Sequence, residues 1–210
     1  MADAIFWNKV ADKYADTPIA NESIYQQKLA ITDKYLTEQS EILEFGCGTG
    51  STALIHAPKV NSYTALDIST RMIEIANEKL QQTPQSNLTF IESTLENWQQ
   101  AHPDTSYDVV LGLNVLHLMA DYRQVISQSF EVLKPGGYFI TSSVCFDRFS
   151  WLNIALPVMK LVGKAPHVEK FTAEQLMQAM LDAGFDLAQE WEPSPNSQQS
   201  FLVMQRPKHT

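Results

Sequence analysis

Short apolar runs alternate along the chain with longer stretches in which apolar residues recur at helical spacing. The apolar runs predict seven strands, at residues 42–45, 63–68, 88–91, 107–113, 138–144, 185–191 and 200–205. The helical spacing predicts helices at 4–15, 22–38, 51–57, 70–82, 121–133, 150–163 and 172–183. This alternation predicts an α/β fold with a doubly wound, Rossmann-like, mostly parallel sheet and helices on both faces. No helix separates the last two strands, so they are expected to pair antiparallel.

Capping and turn residues mark several of these boundaries. Ser69 can cap the helix at 70–82, and Thr172 can cap the helix that Gly184 would stop. The Pro-Gly-Gly sequence at 135–137 predicts a turn immediately before the fifth strand.

Glycines are concentrated at one point of the chain. Of eight in all, three lie at 46, 48 and 50, where the first strand ends and a helix begins. Glycine permits positive φ and a close backbone approach to a ligand, and the helix start supplies unpaired N–H groups. Ligands of open α/β sheets bind at the carboxyl ends of the strands. The segment is therefore predicted to form a ligand-binding loop.

Two carboxylates narrow the choice of ligand. The triphosphate motif is absent, because no lysine follows the glycines, and the dinucleotide motif needs one more residue between the second and third glycine. Asp67, at the end of the second strand, can accept hydrogen bonds from ribose hydroxyls, as also happens in NAD-binding folds. Glu44 would repel a pyrophosphate but attract an ammonium group. The pattern favours a nucleoside with a small zwitterionic tail.

Four motifs then occur in a fixed order. They are LEFGCGTG at 43–50, ALDIS at 65–69 with Met72 five residues after the aspartate, YDVVLGLNVLH at 107–117 and LKPGG at 133–137. With these motifs in this order, the chain resembles the class I S-adenosylmethionine-dependent methyltransferases. Within that family it is similar to the small-molecule type, such as the ubiquinone and menaquinone group. The resemblance implies S-adenosylmethionine as cofactor and methyl transfer to a small acceptor.

The resemblance also implies a set of cofactor-binding residues. Glu44 would face the amino group and Asp67 the ribose, while Ile68 and Met72 would enclose the adenine. Thr94 stands where many relatives have an aspartate that contacts the adenine amino group. The full set is Glu44, Gly46, Cys47, Gly48, Asp67, Ile68, Met72, Thr94, Leu95 and Asn114. Met72 equally fits an ordinary core position.

The residues that would act on the acceptor are less defined, because methyl transfer mainly needs alignment and exclusion of water. The catalytic residue is left open, with Tyr14 and His117 as candidates and Tyr25 and His167 as further polar contacts. Tyr14 equally fits an exposed helix face, and His117 an ordinary loop histidine.

The chain is expected to form one methyltransferase domain, 1–210, with helical cap elements at 1–38 and 146–170. Within the second cap, 149–163 is apolar nearly all round, which suggests a lid over a hydrophobic acceptor. A homodimer contact or ordinary core cover explains the same pattern.

Charge and composition exclude some partners. The formal net charge is −9, which argues against nucleic acid. Cys47 and Cys145 follow strands that should not be neighbours, so no disulfide is expected, and with no secretory signal or membrane span the predicted compartment is the cytoplasm. No metal-ligand spacing is visible. The alternatives are a nicotinamide-cofactor oxidoreductase on the same fold and a non-catalytic S-adenosylmethionine-binding protein.

Overall fold

The structure is a computed structural model that describes residues 2–146, 167–193 and 198–208. In these residues seven strands form one sheet: β1 (Glu41–Phe45), β2 (Ser62–Asp67), β3 (Leu88–Glu92), β4 (Tyr107–Leu113), β5 (Leu133–Val144), β6 (Asp186–Trp191) and β7 (Gln199–Gln205). The helices are α1 (Ala2–Asp16), α2 (Glu22–Asp33), α3 (Ser51–His56), α4 (Thr70–Gln82), α5 (Leu95–Ala101), α6 (Tyr122–Glu131) and α7 (Ala173–Asp182). Two 3-10 turns lie at Ala57–Lys59 and Leu116–Leu118.

The strand order is β3-β2-β1-β4-β5-β7-β6. Strands β1 to β5 run parallel, and β7 pairs antiparallel with both β5 and β6. This confirms the predicted doubly wound sheet and its antiparallel last strand. The order reverses between β1 and β4, so the glycine loop that follows β1 lies at the switch point where open α/β sheets bind ligands.

The central strands are buried on both faces, as parallel strands covered by helices must be. Leu43 on β1 and Val110 on β4 belong to one apolar cluster, while their neighbours Ile42 and Leu111 belong to the cluster on the opposite face. Because successive side chains of a strand point to opposite faces, these two strands anchor both layers of the core. The two strands beside the glycine loop are therefore rigidly held.

Three predicted boundaries were wrong: the ends of α2 and α6 and the start of β5. Helix α2 ends at Asp33 rather than 38, since the N–H of Lys34 turns back to Ile31 O at 3.1 Å. Helix α6 ends at Glu131 rather than 133, because Leu133 already pairs with Tyr107 of β4.

The Pro-Gly-Gly sequence lies inside β5 instead of forming a turn before it. Gly136, at φ +85°, donates its N–H to Arg206 O at 2.8 Å, and Gly137 O accepts from Arg206 N at 2.9 Å. These bonds to the chain beyond β7 keep the segment in the sheet.

Helix α5 was not predicted, because six of its seven residues are less than fully buried and give no apolar period. Other predictions are confirmed. Helix α4 spans Thr70–Gln82 with the Ser69 cap, and Thr172 forms a capping box at the start of α7, which Gly184 ends at φ +97°. The two cysteines form no disulfide, and β4 lies between the strands that precede them.

The N-terminal cap element packs on α4. Ala11 of α1 forms an apolar cluster with Met72 and Ile75, and Asn8 Oδ1 accepts hydrogen bonds from Ser69 Oγ at 2.7 Å and Arg71 N at 3.1 Å.

The predicted helix 150–163 and the lid segment 149–163 lie outside the described residues. Among the helices that are described, none is long and apolar enough to cross a bilayer.

Candidate active site

The glycine loop places three glycines in the left-handed region of φ, at +67° for Gly46, +54° for Gly48 and +74° for Gly50. A Cβ added at Gly46 would collide with Val115, and one at Gly50 would come within 2.5 Å of the Phe90 ring. At Gly48 the nearest described atom to such a Cβ, apart from its chain neighbours, belongs to Tyr14, at 3.8 Å. The loop is thus tightly packed at both ends and open above Gly48.

Hydrogen bonds hold this loop in place from two sides. Gly48 N donates to Asp67 Oδ2 at 2.9 Å, and Cys47 N donates to Leu66 O at 2.9 Å. From α4, Lys79 Nζ donates to both the carbonyl and the hydroxyl oxygen of Thr49, at 3.0 and 2.9 Å. The backbone is therefore organised before any ligand enters.

Asp67 lies at the end of β2, as predicted, and is only 9% exposed. Its Oδ1 accepts from Ser69 N at 2.9 Å, while Oδ2 holds the loop. Each carboxylate oxygen has a second lone pair, so the group can still accept from two ligand hydroxyls. Burial raises the pKa of Asp67, and the backbone N–H bonds oppose that effect.

Glu44 is buried in β1, 2% exposed, and accepts from the Tyr63 hydroxyl at 2.8 Å. Burial raises its pKa to about 7, against the lowering effect of the Tyr63 bond. No cation forms an ion pair with it among the residues that the structure describes. Because a buried carboxylate is stabilised by an opposite charge, the site fits a ligand that carries an ammonium group.

Cys47, within the loop, is not placed for nucleophilic chemistry. Burial, with the negative charges of Glu44 and Asp67, raises the pKa of its thiol well above the ordinary value. The thiol therefore stays protonated at neutral pH.

The residues predicted to surround an adenine differ in how far their side chains are buried. Ile68 is half-buried beside Asp67, whereas Met72 is 2% exposed within the cluster between α1 and α4. Thr94 is exposed, and its hydroxyl oxygen accepts from Asn97 N as the cap of α5, which competes with a contact to a ligand. The side chain of Leu95 packs in the core, so only its backbone can reach a ligand.

The end of β4 supplies the opposite wall. Asn114 has φ +56° and is tied to β5 twice, by its N–H to Ser142 O at 2.7 Å and by its Oδ1, which accepts from Ser142 Oγ at 3.1 Å. His117 follows on a 3-10 turn, with a buried Nδ1 that has no hydrogen-bond partner among the described residues. Burial lowers its pKa to about 4, so the imidazole is neutral at pH 7 and can accept a hydrogen bond.

Tyr14 and Tyr25, the two tyrosines predicted near the acceptor, both lie close to the glycine loop. Tyr14 lies over Gly48, and although half of it is exposed, partial burial followed by the charges of Asp67 and Glu44 raises its pKa. The Tyr25 hydroxyl is 3.3 Å from Thr52 Oγ1 at the start of α3. His167 lies elsewhere: its backbone N–H donates to Asp3 Oδ1 on α1, at 3.3 Å.

Sequence reasoning missed Lys28. It is 8% exposed, and its Nζ donates to Ser142 Oγ at 2.7 Å and to Gln199 Oε1 at 3.1 Å. It borders a small cavity of about 40 Å³ that opens between α2, α3 and the end of β4. Its partners lie 114 and 171 positions away in sequence, so no local pattern could have revealed it. In the described part of the chain no cluster of acidic, histidine or cysteine residues could hold a metal ion.

The glycine loop at the switch point of the sheet, with a carboxylate ending the next strand, defines the Rossmann-like class of open α/β proteins. Residues 43–139 match the family model described as a methyltransferase domain. A curated relative, the ubiquinone biosynthesis O-methyltransferase of Yersinia pestis (strain Pestoides F), is 29% identical over 135 residues, which is 63% of this chain and 55% of that protein. The chain thus matches about half the length of its curated relatives.

Solved structures share the fold. A SAM-dependent methyltransferase from Thermotoga maritima, described as a possible histamine N-methyltransferase, gives a TM-score of 0.69 at 22% identity over 96% of this chain and 98% of that one. The [4+2]-cyclase SpnF gives 0.72 at 16% identity over 91% and 85%. These likenesses confirm the Rossmann-like fold, and the match of residues 43–139 to a methyltransferase domain supports the resemblance that the motifs indicate.

Proposed function

We propose that this protein transfers a methyl group from S-adenosylmethionine to a small acceptor molecule. The observation that carries the proposal is the pair of buried carboxylates, Glu44 and Asp67, near the carboxyl ends of the neighbouring strands β1 and β2, next to the glycine loop. A zwitterionic nucleoside offers what each of them lacks, an ammonium group for Glu44 and hydroxyl donors for Asp67. The bound cofactor would supply an electrophilic methyl group on a sulfonium.

The chain's own residues would then bind, orient and exclude water. Gly46, Cys47 and Gly48 would contact the amino-acid part of the cofactor through their backbone, with Glu44 at its amino group. Asp67 would accept from the ribose. The remaining proposed contacts come from the sequence prediction: Ile68, Met72, Thr94, Leu95 and Asn114.

The acceptor would lie beyond the cofactor, toward Tyr14 and His117. Neutral His117 can accept a hydrogen bond from an acceptor hydroxyl or amine, and the raised pKa of Tyr14 keeps its hydroxyl a donor. A small, apolar acceptor is supported by the resemblance to the ubiquinone-type enzymes and by the apolar composition of 149–163, which we propose as a lid. A dimer contact by that segment is the alternative arrangement.

The proposal also includes a single-domain organisation and a reducing compartment for the protein. One methyltransferase domain with two helical caps is supported by the single sheet, onto which α1 packs through α4. The acidic composition supports a small-molecule acceptor rather than nucleic acid, and two cysteines without a disulfide support a reducing compartment such as the cytoplasm.

The first test is a parallel thermal-shift titration with S-adenosylhomocysteine, S-adenosylmethionine and NAD. A ligand at about 100 times its dissociation constant stabilises the fold by roughly 2.7 kcal/mol, so a shift with the two adenosyl-sulfur compounds alone is the expected result. A shift with NAD alone would instead support an oxidoreductase.

The matched variants are Asp67→Ala and Asp12→Ala, the second removing an exposed carboxylate of α1. Two charge-assisted hydrogen bonds to the ribose are worth roughly 1.5–3 kcal/mol each, so Asp67→Ala should weaken S-adenosylhomocysteine binding at least tenfold and Asp12→Ala should not. Tight binding without methyl transfer to any acceptor would favour a non-catalytic binding protein, an outcome that the shared fold with a [4+2]-cyclase keeps relevant.

A further inference from the structure

Tyr63 is the hydrogen-bond partner of Glu44, and it comes from the neighbouring strand. Glu44 of β1 lies opposite Ala65 of β2 in the parallel register, and Tyr63 lies two residues before Ala65. Residues two apart on a strand share a face, so the tyrosine and the carboxylate lie on the same side of the sheet. The Tyr63 hydroxyl donates to Glu44 Oε2 at 2.8 Å, and both residues are almost fully buried.

This bond leaves the second carboxylate oxygen of Glu44 for a ligand. Oε1 receives no hydrogen bond from any described residue, and it is absent from the unpartnered polar atoms that these residues seal off from solvent. Burial, followed by the charge of Glu44, raises the pKa of the Tyr63 hydroxyl well above its ordinary value, so Tyr63 stays a donor across the neutral range. The tyrosine thus fixes the direction of the carboxylate and favours its ionised form.

Other titratable groups face Glu44 from both N-terminal helices, the glycine loop and β2. They are Tyr14, Tyr25, Cys47 and Asp67. The pKa values of the two tyrosines and of the thiol are raised, chiefly by burial, so these three groups stay neutral near pH 7. Lys28, which shares a cavity with Tyr25, donates to β5 and β7 instead. Among these described neighbours, Asp67 is the group whose titration must be separated from that of Glu44.

We propose that Tyr63 is a positioning residue for cofactor binding, which aims Glu44 Oε1 at the cofactor's ammonium group and extends the ionised form of the carboxylate down to neutral pH. The hydroxyl acts through Glu44 and does not itself touch the ligand. This inference rests on the proposed methyltransferase function, since it concerns how pH regulates the same cofactor site.

The variant Tyr63→Phe keeps the ring and removes only the hydroxyl. A hydrogen bond to an ionised group is a strong one, so without it the pH midpoint of Glu44 should move from about 7 to roughly 8–9. The carboxylate is then mostly protonated at pH 7, and the affinity for an ammonium ligand should fall roughly five- to fiftyfold there.

The experiment compares two ligands that differ in the ammonium group. S-adenosylhomocysteine carries the amino-acid tail, whereas 5′-methylthioadenosine has the same nucleoside and a sulfur but no ammonium group. Calorimetric titrations of the full chain from about pH 5.5 to 8 bracket the Glu44 value. The matched control for Tyr63→Phe is Tyr107→Phe, which removes another buried strand hydroxyl, one that accepts from Trp98 Nε1 at 2.8 Å.

For the wild type and Tyr107→Phe, the affinity for S-adenosylhomocysteine relative to 5′-methylthioadenosine should rise with pH and level off above about 7. Asp67 is proposed to bind the ribose that both ligands share, so its titration cancels in this ratio. In Tyr63→Phe the ratio at pH 7 should be roughly five- to fiftyfold lower and should still be rising at pH 8.

Three results would overturn the inference. The first is a wild-type ratio that does not change with pH, which needs no variant to fold. The second is an unchanged ratio in Tyr63→Phe. The third is an equal loss of affinity for both ligands in Tyr63→Phe, which would make the hydroxyl a purely structural group. In each of these the wild type still binds S-adenosylhomocysteine. A wild type that binds neither ligand would contradict the proposed function, and this inference with it.

Discussion

The two halves of the pocket are built in different ways. On the β1–β2 side, Glu44, Gly48 and Asp67 come from two short motifs. Backbone N–H groups fix the geometry of Asp67 and the loop, and the Tyr63 hydroxyl holds Glu44. On the β4–β5–β7 side, Lys28 and Ser142 come from distant parts of the chain and meet through side chains alone. The first half is a cradle set by backbone conformation. The second is a side-chain arrangement that exists only once α2 has docked on the sheet.

The largest expected effect tests the backbone cradle. Gly46→Ala adds overpacking against Val115 to the strain of positive φ, so the free energy of unfolding should fall by roughly 2–5 kcal/mol. Gly48→Ala makes only an ordinary contact with Tyr14 among the described residues and should lose about 1–2 kcal/mol, from strain alone. Chemical denaturation checks both values.

Ligand binding separates the same two glycines further. A methyl group at Gly48 projects into the open position, so Gly48→Ala should weaken S-adenosylhomocysteine binding tenfold or more despite its milder effect on stability. Equal binding by Gly48→Ala and the wild type would show that the ligand does not pass over this glycine.

Glu44→Gln tests the charge of the cradle. The pKa of Glu44 is raised to about 7 in the folded protein from 4.5, so the folded state holds the extra proton and stability is lost as pH rises from the lower value to the higher. The full loss is about 3 kcal/mol. Without ligand, the free energy of unfolding of Glu44→Gln should therefore decline by about 3 kcal/mol less than that of the wild type between pH 4.5 and about 7. Urea denaturation at several pH values measures this difference.

The same group gives cofactor binding a pH dependence. Binding an ammonium group requires ionised Glu44, so the affinity for S-adenosylhomocysteine should fall as pH drops below 7, by up to about tenfold per unit. Glu44→Gln should remove this slope and bind weakly throughout. An unchanged slope in the variant would assign the titration to Asp67, whose pKa burial also raises.

The two halves also differ in how far the sequence predicts them. Local patterns located Glu44, the glycines and Asp67, because a strand, a turn with positive φ and a helix start follow one another within a few residues. Lys28 was missed, since its contacts with Ser142 and Gln199 exist only after α2 docks on the sheet. Tertiary contacts also overrode local signals at 135–137, where bonds to Arg206 keep a Pro-Gly-Gly sequence in β5.

On the β4–β5–β7 side, Lys28→Met should change how stability depends on pH. The folded pKa of about 8 lies below the ordinary 10.5, so the charged lysine costs stability that returns as pH rises through this range. Removing the charge should relieve roughly 1–3 kcal/mol of that cost at neutral pH, which the two lost hydrogen bonds offset, so the variant should mainly flatten the alkaline rise in stability. Lys34→Met, which removes an exposed lysine at the end of the same helix, should leave the curve unchanged.

The smallest effect concerns Thr94, which serves as a helix cap and is also proposed to contact the adenine. Thr172 has the same capping role at α7 and lies outside the proposed cofactor site. Replacing either by alanine should lower the free energy of unfolding by about 1 kcal/mol, because an N-cap hydrogen bond is lost. Only Thr94→Ala should also weaken S-adenosylhomocysteine binding, by two- to fivefold in a calorimetric titration. If both variants bind with the affinity of the wild type, the hydroxyl of Thr94 serves as a cap alone.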